Sequence, residues 1–252
     1  GGLKMSDCNS SLKISQGVGC KNSKGNPQYL GGFVGAIAGG NSEISGCNYT
    51  GYLRSDHYNN IPWNTTGGGA VGGIIGAYGK DVSFEGSLKI TNCTNTKTVR
   101  ASRGIVGGIA GYLCYGTVEG CRCDGNIAMS SHAYIGGIVG VSVQTAINNC
   151  IATCPVSGGS KGGQVYSGGG IVGVLYTGSS VTGCGYYGEV KKSGANETAG
   201  LIAGSTIADA TISGCKAGGT LAGTVATEEN IATLIAGDAN ATISDCVYWD
   251  GK

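Results

Sequence analysis

The sequence predicts an all-β protein, a β-solenoid resembling a parallel β-helix, with about seven repeats of roughly 30 residues each. Three observations lead to this prediction. A glycine motif and a cysteine motif return together along the chain, glycine accounts for 51 of the 252 residues, and no stretch shows the apolar period of about 3.6 residues that marks a helix. Because each repeat of a solenoid packs only on its neighbours, we expect a single domain covering residues 1–252.

The glycine motif consists of a glycine, two apolar residues and a second glycine. Complete copies stand at 32–35, 73–76, 108–111, 137–140 and 170–173, and degenerate copies at 200–203 and 233–236. Around Ile171 and Val174 neighbouring positions are all apolar, which favours a strand covered on both faces. The flanking glycines allow turns with positive φ and the close approach of a second backbone layer.

The cysteine motif places an apolar residue three positions before a cysteine. Eight of the twelve cysteines hold this slot in successive repeats: Cys8, Cys47, Cys93, Cys121, Cys150, Cys184, Cys215 and Cys246. We expect a bend or bulge just before each cysteine, since an odd spacing would otherwise put the pair on opposite strand faces. Equivalent residues stack, so we interpret the eight as a column of buried free thiols. Neighbouring coils about 4.8 Å apart would also permit occasional disulfides.

The repeats divide the chain into three parts. Residues 1–28 form a partial repeat or an N-terminal cap, 29–227 hold the repeats, and 228–252 form a degenerate last repeat or a C-terminal cap. Each repeat is predicted to contain short strands separated by Gly, Ser, Asn and Thr.

Composition and charge exclude several classes of function. The chain has 16 basic and 15 acidic residues and no basic stripe in its sequence, so we do not expect nucleic-acid binding. No apolar run is long enough to span a membrane, and we expect no membrane insertion by this segment. We expect a monomer.

The glycine motif followed by an aligned cysteine resembles the GLUG motif, a short repeat of bacterial surface and secreted proteins with adhesin-like architecture. The resemblance covers roughly residues 29–252, with five complete copies in register. It implies a β-solenoid-like repeat region, an extracellular or cell-surface location and a host or cell-surface glycan or protein as partner. It supplies no catalytic residues.

The residues themselves indicate no enzyme, cofactor or metal site. A glycosidase needs two carboxylates at a defined separation, and the acidic residues are scattered singly apart from Glu228-Glu229. The two histidines, His57 and His132, lie far apart in the sequence without a metalloprotease motif. Cys121, Cys123, Cys150 and Cys154 lack zinc-finger spacing.

One aromatic segment is the candidate binding site. The first full repeat carries an insertion over 52–66 that contains Tyr52, His57, Tyr58 and Trp63. Aromatic rings beside amide and acid groups suit contacts to carbohydrate or protein, and Tyr29, Asp56 and Asn60 could complete such a patch. Alternatively, Tyr58 and Trp63 pack their own loop onto the coil.

Three functions therefore remain open. The first is a non-enzymatic surface or secreted module that serves adhesion, binding or a structural stalk. The second is a carbohydrate-binding module that uses the insertion at 52–66. The third, which the scattered acidic residues disfavour, is an enzyme acting on polysaccharides.

Overall fold

The structure, a computed structural model, confirms the predicted solenoid. It describes residues 2–16, 28–56, 69–79, 85–130, 133–158, 167–192, 197–238 and 240–252. In these ranges the chain winds through three sheets that run along the stack of turns. Within each sheet, strands of neighbouring turns pair in parallel, apart from one antiparallel pair near the end. There are about five turns, against about seven repeats expected, and the last repeat has a short helix in place of a sheet C strand.

The strands group by sheet. Sheet A contains Lys4–Ser6, Val34–Ile37, Ser42–Ser45, Ile75–Tyr78, Leu88–Thr91, Ala110–Glu119, Val139–Asn148, Val172–Leu175, Ser180–Thr182, Ala203–Thr206, Thr211–Ser213 and Thr242–Ser244. Sheet B contains Asn9–Ser10, Ile14–Gln16, Asn48–Tyr49, Leu53–Ser55, Thr94–Asn95, Val99–Ala101, Arg122–Cys123, Ile127–Met129, Ile151–Ala152, Val156–Ser157, Gly185–Lys191, Lys216–Leu221, Thr224–Val225 and Val247–Tyr248. Sheet C contains Tyr29–Gly31, Ala70–Gly72, Gly104–Gly107, Ala133–Gly136, Ser167–Gly169 and Thr198–Gly200.

Each complete turn follows the same path. The chain runs along a sheet C strand, passes the glycine motif, continues in sheet A, bends at the cysteine and returns through sheet B. Equivalent residues stack in register: Ile90 pairs with Ile44 on one side and Val118 on the other. The interior columns are buried and apolar, so every added turn removes another layer of Ile, Val or Leu from water.

The glycine motif is needed where backbone layers almost touch. A Cβ placed on Gly108 would lie 2.0 Å from the carbonyl oxygen of Gly137 in the next turn and 2.4 Å from Sγ of Cys123. At Gly170 the same atom would lie 2.3 Å from Cγ of Tyr186. No side chain fits there, because the space is already filled by the adjacent turn and by a sheet B residue.

The register of the degenerate copies differs from the sequence alignment by one residue. Gly169 pairs with Gly200, and Ala203 bridges Ala236. The copies therefore align as 201–204 and 234–237, so that each keeps its last glycine and replaces the first by leucine. Leu201 replaces the glycine in a turn whose sheet B residue is also changed, because Ala217 stands where the previous turn has Tyr186. A larger residue in the motif is thus matched by a smaller one in sheet B, so the total volume is conserved.

The expected bend before each cysteine is present. The residue preceding each of the eight cysteines has a positive φ between 52° and 62°: Asp7, Gly46, Asn92, Gly120, Asn149, Gly183, Gly214 and Asp245. Gly, Asn and Asp are the residues that best tolerate this left-handed conformation. It turns the chain from sheet A to sheet B and directs the cysteine side chain inward.

The last turn departs from the pattern. A one-turn helix, Ile231–Leu234, precedes the final motif copy where earlier turns have a sheet C strand. The backbone ladder nevertheless continues, since the amides of Leu201 and Ile202 donate to the carbonyls of Leu234 and Ile235 at 2.7 and 2.9 Å. Asp238 follows and accepts hydrogen bonds from the side chains of Ser205 and Thr206.

Candidate functional site

The structure describes residues 52–56 of the 52–66 insertion, and Leu53–Ser55 form a strand there. Tyr52 is half-buried, and its carbonyl oxygen accepts a hydrogen bond from the amide of Ile14 at 2.8 Å. Nε of Arg54 lies 2.7 Å from Oδ2 of Asp56, and this ion pair is partly exposed. His57, Tyr58 and Trp63 lie outside the described residues, so their role in binding stays a prediction.

Tyr29 belongs to a different cluster from the one expected. It packs on a small apolar cluster on the outside of the solenoid, between sheet C and the first half of sheet A, together with Tyr112 and Tyr176. The buried members of this tyrosine cluster are Ala70, Ala77, Ile105, Tyr134, Val141 and Val174. Burial raises the pKa of the Tyr112 and Tyr134 hydroxyls, and the neighbouring Tyr176 raises it further. These phenols stay protonated at neutral pH and stabilise a second core.

The tyrosine cluster was missed because its members are far apart in sequence. Their positions relative to the glycine motifs differ: Tyr29 and Tyr134 stand three residues before the first glycine, Tyr112 one residue after the last glycine, and Tyr176 three residues after it. Aligning the repeats on the motif would have revealed that they share one face.

Two tyrosines that lie two residues after a cysteine have a structural role. Tyr49 and Tyr186 are completely buried, each above the glycine of a motif. Their hydroxyls donate to backbone carbonyls, that of Leu12 at 2.9 Å and that of Cys154 at 3.1 Å. They therefore fill the corner of the coil and satisfy its backbone rather than face a ligand.

The eight aligned cysteines form the predicted column of stacked thiols. All eleven cysteines in the described part of the chain are free in this structure. The Sγ of Cys150 donates to the carbonyl oxygen of Asn148 at 3.3 Å and lies 3.6 Å from that of Val118 in the adjacent turn, and other members repeat this pattern. Burial raises the pKa of Cys47 to about 11, so such thiols stay protonated and unreactive at neutral pH.

The end of the column is more accessible. Cys246 is half-buried and, with Glu228, Ile231, Val247 and Tyr248, lines a cavity of about 330 Å³. A hydrogen bond with Cys215 lowers the pKa of Cys246 below that of an ordinary thiol, because it stabilises the thiolate of the more exposed partner.

Connections between strands vary most in length at one edge, while those within sheet A range from none to the nine residues 79–87. Within sheet B the two strands of the first four complete turns are each separated by three residues: 50–52, 96–98, 124–126 and 153–155. The connections from sheet B to sheet C instead contain between 2 and 14 residues: 17–28, 56–69, 102–103, 130–132, 158–166 and 192–197. Their described ends carry polar side chains, among them Ser102, which donates to Asp56 at 3.5 Å, and Ser130, which contacts Arg100.

Within the described ranges, no three His, Cys, Asp or Glu side chains lie close enough together to hold a metal ion. No helix in the described part of the chain is both long and apolar enough to cross a membrane. Comparisons with protein-family models, with curated proteins and with solved structures gave no match.

Proposed function

We propose that the chain is a non-enzymatic recognition module of a secreted or cell-surface protein, with an adhesin-like role. The observation that carries this proposal is the confinement of the largest length differences to one edge. The connections from sheet B to sheet C differ there by up to 12 residues, whereas the connections within sheet A differ by up to nine. In solenoids, insertions of this kind collect on one face, which is often the binding face.

The chemistry of the repeats agrees with a scaffold. The glycines, tyrosines and cysteines that recur in register fill space or form hydrogen bonds with the backbone. The residue types at outward-facing positions, by contrast, change from turn to turn. Along one sheet B column, for example, Arg54 and Arg100 are followed by Ala128 and Ser157. A regular frame with variable outward side chains suits recognition of an extended partner.

The resemblance to GLUG repeats supports the proposed location. The solenoid is the architecture that this resemblance implies, and five complete motifs carry it. An enzymatic role has less support, because a glycosidase needs a pair of carboxylates, whereas Asp56, Asp124 and Glu189 each form an ion pair with a cation on their own strand or turn.

A binding array tests this proposal. The purified chain is applied to immobilised glycans and extracellular-matrix proteins, beside a Trp63→Ala variant that changes the longest connection. We expect a specific, saturable ligand for the wild-type chain. Loss of that ligand in the variant would assign the site to the 52–66 insertion, and retention would assign it elsewhere on the surface. A folded sample that binds nothing on the array would overturn the recognition role and leave a spacer.

A further inference from the structure

Charged side chains separate onto two sides of the solenoid. The sheet B side comprises the sheet B strands with the turns that join them. It carries seven basic and two acidic described residues: Lys13, Arg54, Lys97, Arg100, Arg122, Lys191 and Lys216 against Asp124 and Glu189. The sheet A side comprises the sheet A strands with the turns up to each cysteine. It carries two basic and seven acidic described residues: Lys4 and Lys89 against Asp7, Glu43, Glu85, Glu119, Asp209, Asp238 and Asp245.

This separation makes the sheet B side strongly positive, although the whole chain has a formal net charge of only +1. The cations come from different turns, roughly 30 residues apart, and the winding of the chain brings them to one face. A surface with one sign of charge attracts counter-ions and raises the association rate of a charged partner.

The cations on the sheet B strands stand in two outward columns parallel to the stack. One column contains Ser15, Arg54, Arg100, Ala128, Ser157 and Lys191. The other contains Asn9, Asn48, Thr94, Arg122, Ile151, Gly185, Lys216 and Val247. With about 4.8 Å between turns, Arg54 and Lys191 are about 19 Å apart along the axis. Neither column contains an acidic or aromatic residue.

Several of these cations are available to a ligand. Arg54 and Arg122 pair with Asp56 and Asp124 at 2.7 Å, but both arginines are nearly half exposed, at 44% and 49%. Exposed pairs of this kind contribute only about 0–1 kcal/mol and exchange partners easily. Among the described residues, Lys13, Lys97 and Lys216 form no ion pair.

We propose that the sheet B side binds a linear acidic polysaccharide that lies parallel to the solenoid axis. Its carboxylate or sulfate groups would meet Arg54 and Arg100 in one column and Arg122 and Lys216 in the other. Arginine suits this role because its planar guanidinium can contact both oxygens of a carboxylate or sulfate. The inference rests on the proposed recognition role and adds the face and the chemistry of the ligand.

Charge density and side-chain type favour a polysaccharide over a nucleic acid. A nucleic-acid strand carries one charge about every 3.4 Å, whereas uncharged residues interrupt both columns. Sequence-independent binding of single strands also relies on exposed aromatic rings for stacking. The two columns contain none, and the ring pair of Tyr187 and Trp249 lies beside Gly185 near one end of the described stack. An acidic polysaccharide, with charge on only some of its sugars, matches the sparse cations better.

The experiment measures binding of the full chain to dextran sulfate and polygalacturonate, with neutral dextran and single-stranded DNA beside them. The test variant is Arg100→Gln with Lys216→Gln, two exposed positions on the sheet B side. The matched control is Lys4→Gln with Lys89→Gln, which removes the same charge from the sheet A side. Thermal melts check that both variants fold like the wild type.

We expect salt-sensitive binding to at least one acidic polysaccharide and none to neutral dextran. The sheet B variant should bind at least tenfold more weakly and the sheet A variant within about twofold of wild type, because only one face meets the polymer. Equal losses in the two variants, no binding to either acidic polysaccharide, or tighter binding to DNA would each overturn the inference. A neutral ligand found on the array with unchanged affinity in the sheet B variant would overturn it while leaving the recognition role intact.

Discussion

Replacing Gly108 by alanine tests the packing that the glycine motif makes possible. The new Cβ would lie 2.0 Å from the carbonyl oxygen of Gly137 and 2.4 Å from Sγ of Cys123. The nearest atom is backbone and cannot rotate away, so the two turns must separate. Separation weakens the amide hydrogen bonds from Gly108 to Gly136 at 3.2 Å and from Ile109 to Ile138 at 2.9 Å.

The cost of this substitution can be worked out from these contacts. Overpacking costs about 1–3 kcal/mol, and two weakened hydrogen bonds about 1 kcal/mol each. Alanine also stabilises the folded state by about 0.4–1 kcal/mol, because it reduces the conformational entropy of the unfolded chain. The net loss is about 3 kcal/mol, equivalent to a Tm lower by roughly 10 °C at this chain length.

The assay is thermal and urea unfolding followed by circular dichroism. Gly185→Ala is the matched control, because its Cβ would meet only the ring of Trp249 at 3.2 Å, and we expect a change within about 1 kcal/mol. If Gly108→Ala proves as stable as Gly185→Ala, the turns do not approach each other as described and the reasoning is wrong.

Four further predictions concern single side chains. Ile138→Asp places an unpaired charge in the fully buried core and should cost about 3–5 kcal/mol or more in urea unfolding, whereas Ile138→Val should cost about 0.5–1.5 kcal/mol. Tyr186→Phe loses a buried hydrogen bond and should lower stability by about 1 kcal/mol, again measured by unfolding. Partial burial alone would raise the pKa of Asp238, but hydrogen bonds from Thr206 and Ser205 outweigh burial and lower this pKa. The resulting stability is fully present above the unfolded pKa of about 3.9 and is lost as the pH falls through the lower folded pKa. The Tm difference between wild type and Asp238→Asn should therefore persist at pH 7 and vanish below that folded pKa. Cys246 should react with a thiol reagent in the native state before any buried member of the column, and mass spectrometry of partly labelled protein would contradict this if Cys150 reacted as fast.

Much of the fold could be predicted from the sequence because its signals are local and repeated. The glycine and cysteine motifs predict where each turn of the solenoid begins. The odd spacing in the cysteine motif predicts a bend, and residues with positive φ are found before Cys121 and Cys150. The one-residue shift at Leu201 could not be predicted, since it depends on whether the sheet B residue opposite is large or small. The replacement of Tyr186 by Ala217 in that sheet B column is visible only once the turns are stacked.

The surface was harder to predict for a related reason. Arg54 and Arg100 are 46 positions apart in the sequence, yet they are direct neighbours across the stack. No stretch of the sequence is basic, and the positive face emerges only when the register of each turn is known. The same holds for the tyrosine cluster, which joins Tyr29 to Tyr112 from different turns.

The most direct test of the account is the deletion of one complete turn. Gly104 and Ala133 are partners in adjacent turns, so removing residues 104–132 joins equivalent points of the solenoid. Removing only 104–117 joins points that are not equivalent. We predict that the full-turn deletion keeps a β-type circular dichroism spectrum and a single sharp melt, with a length by small-angle scattering shorter by about 4.8 Å, while the half-turn deletion loses cooperative unfolding. Equal tolerance of the two deletions, or equal collapse, would contradict a stack of equivalent turns.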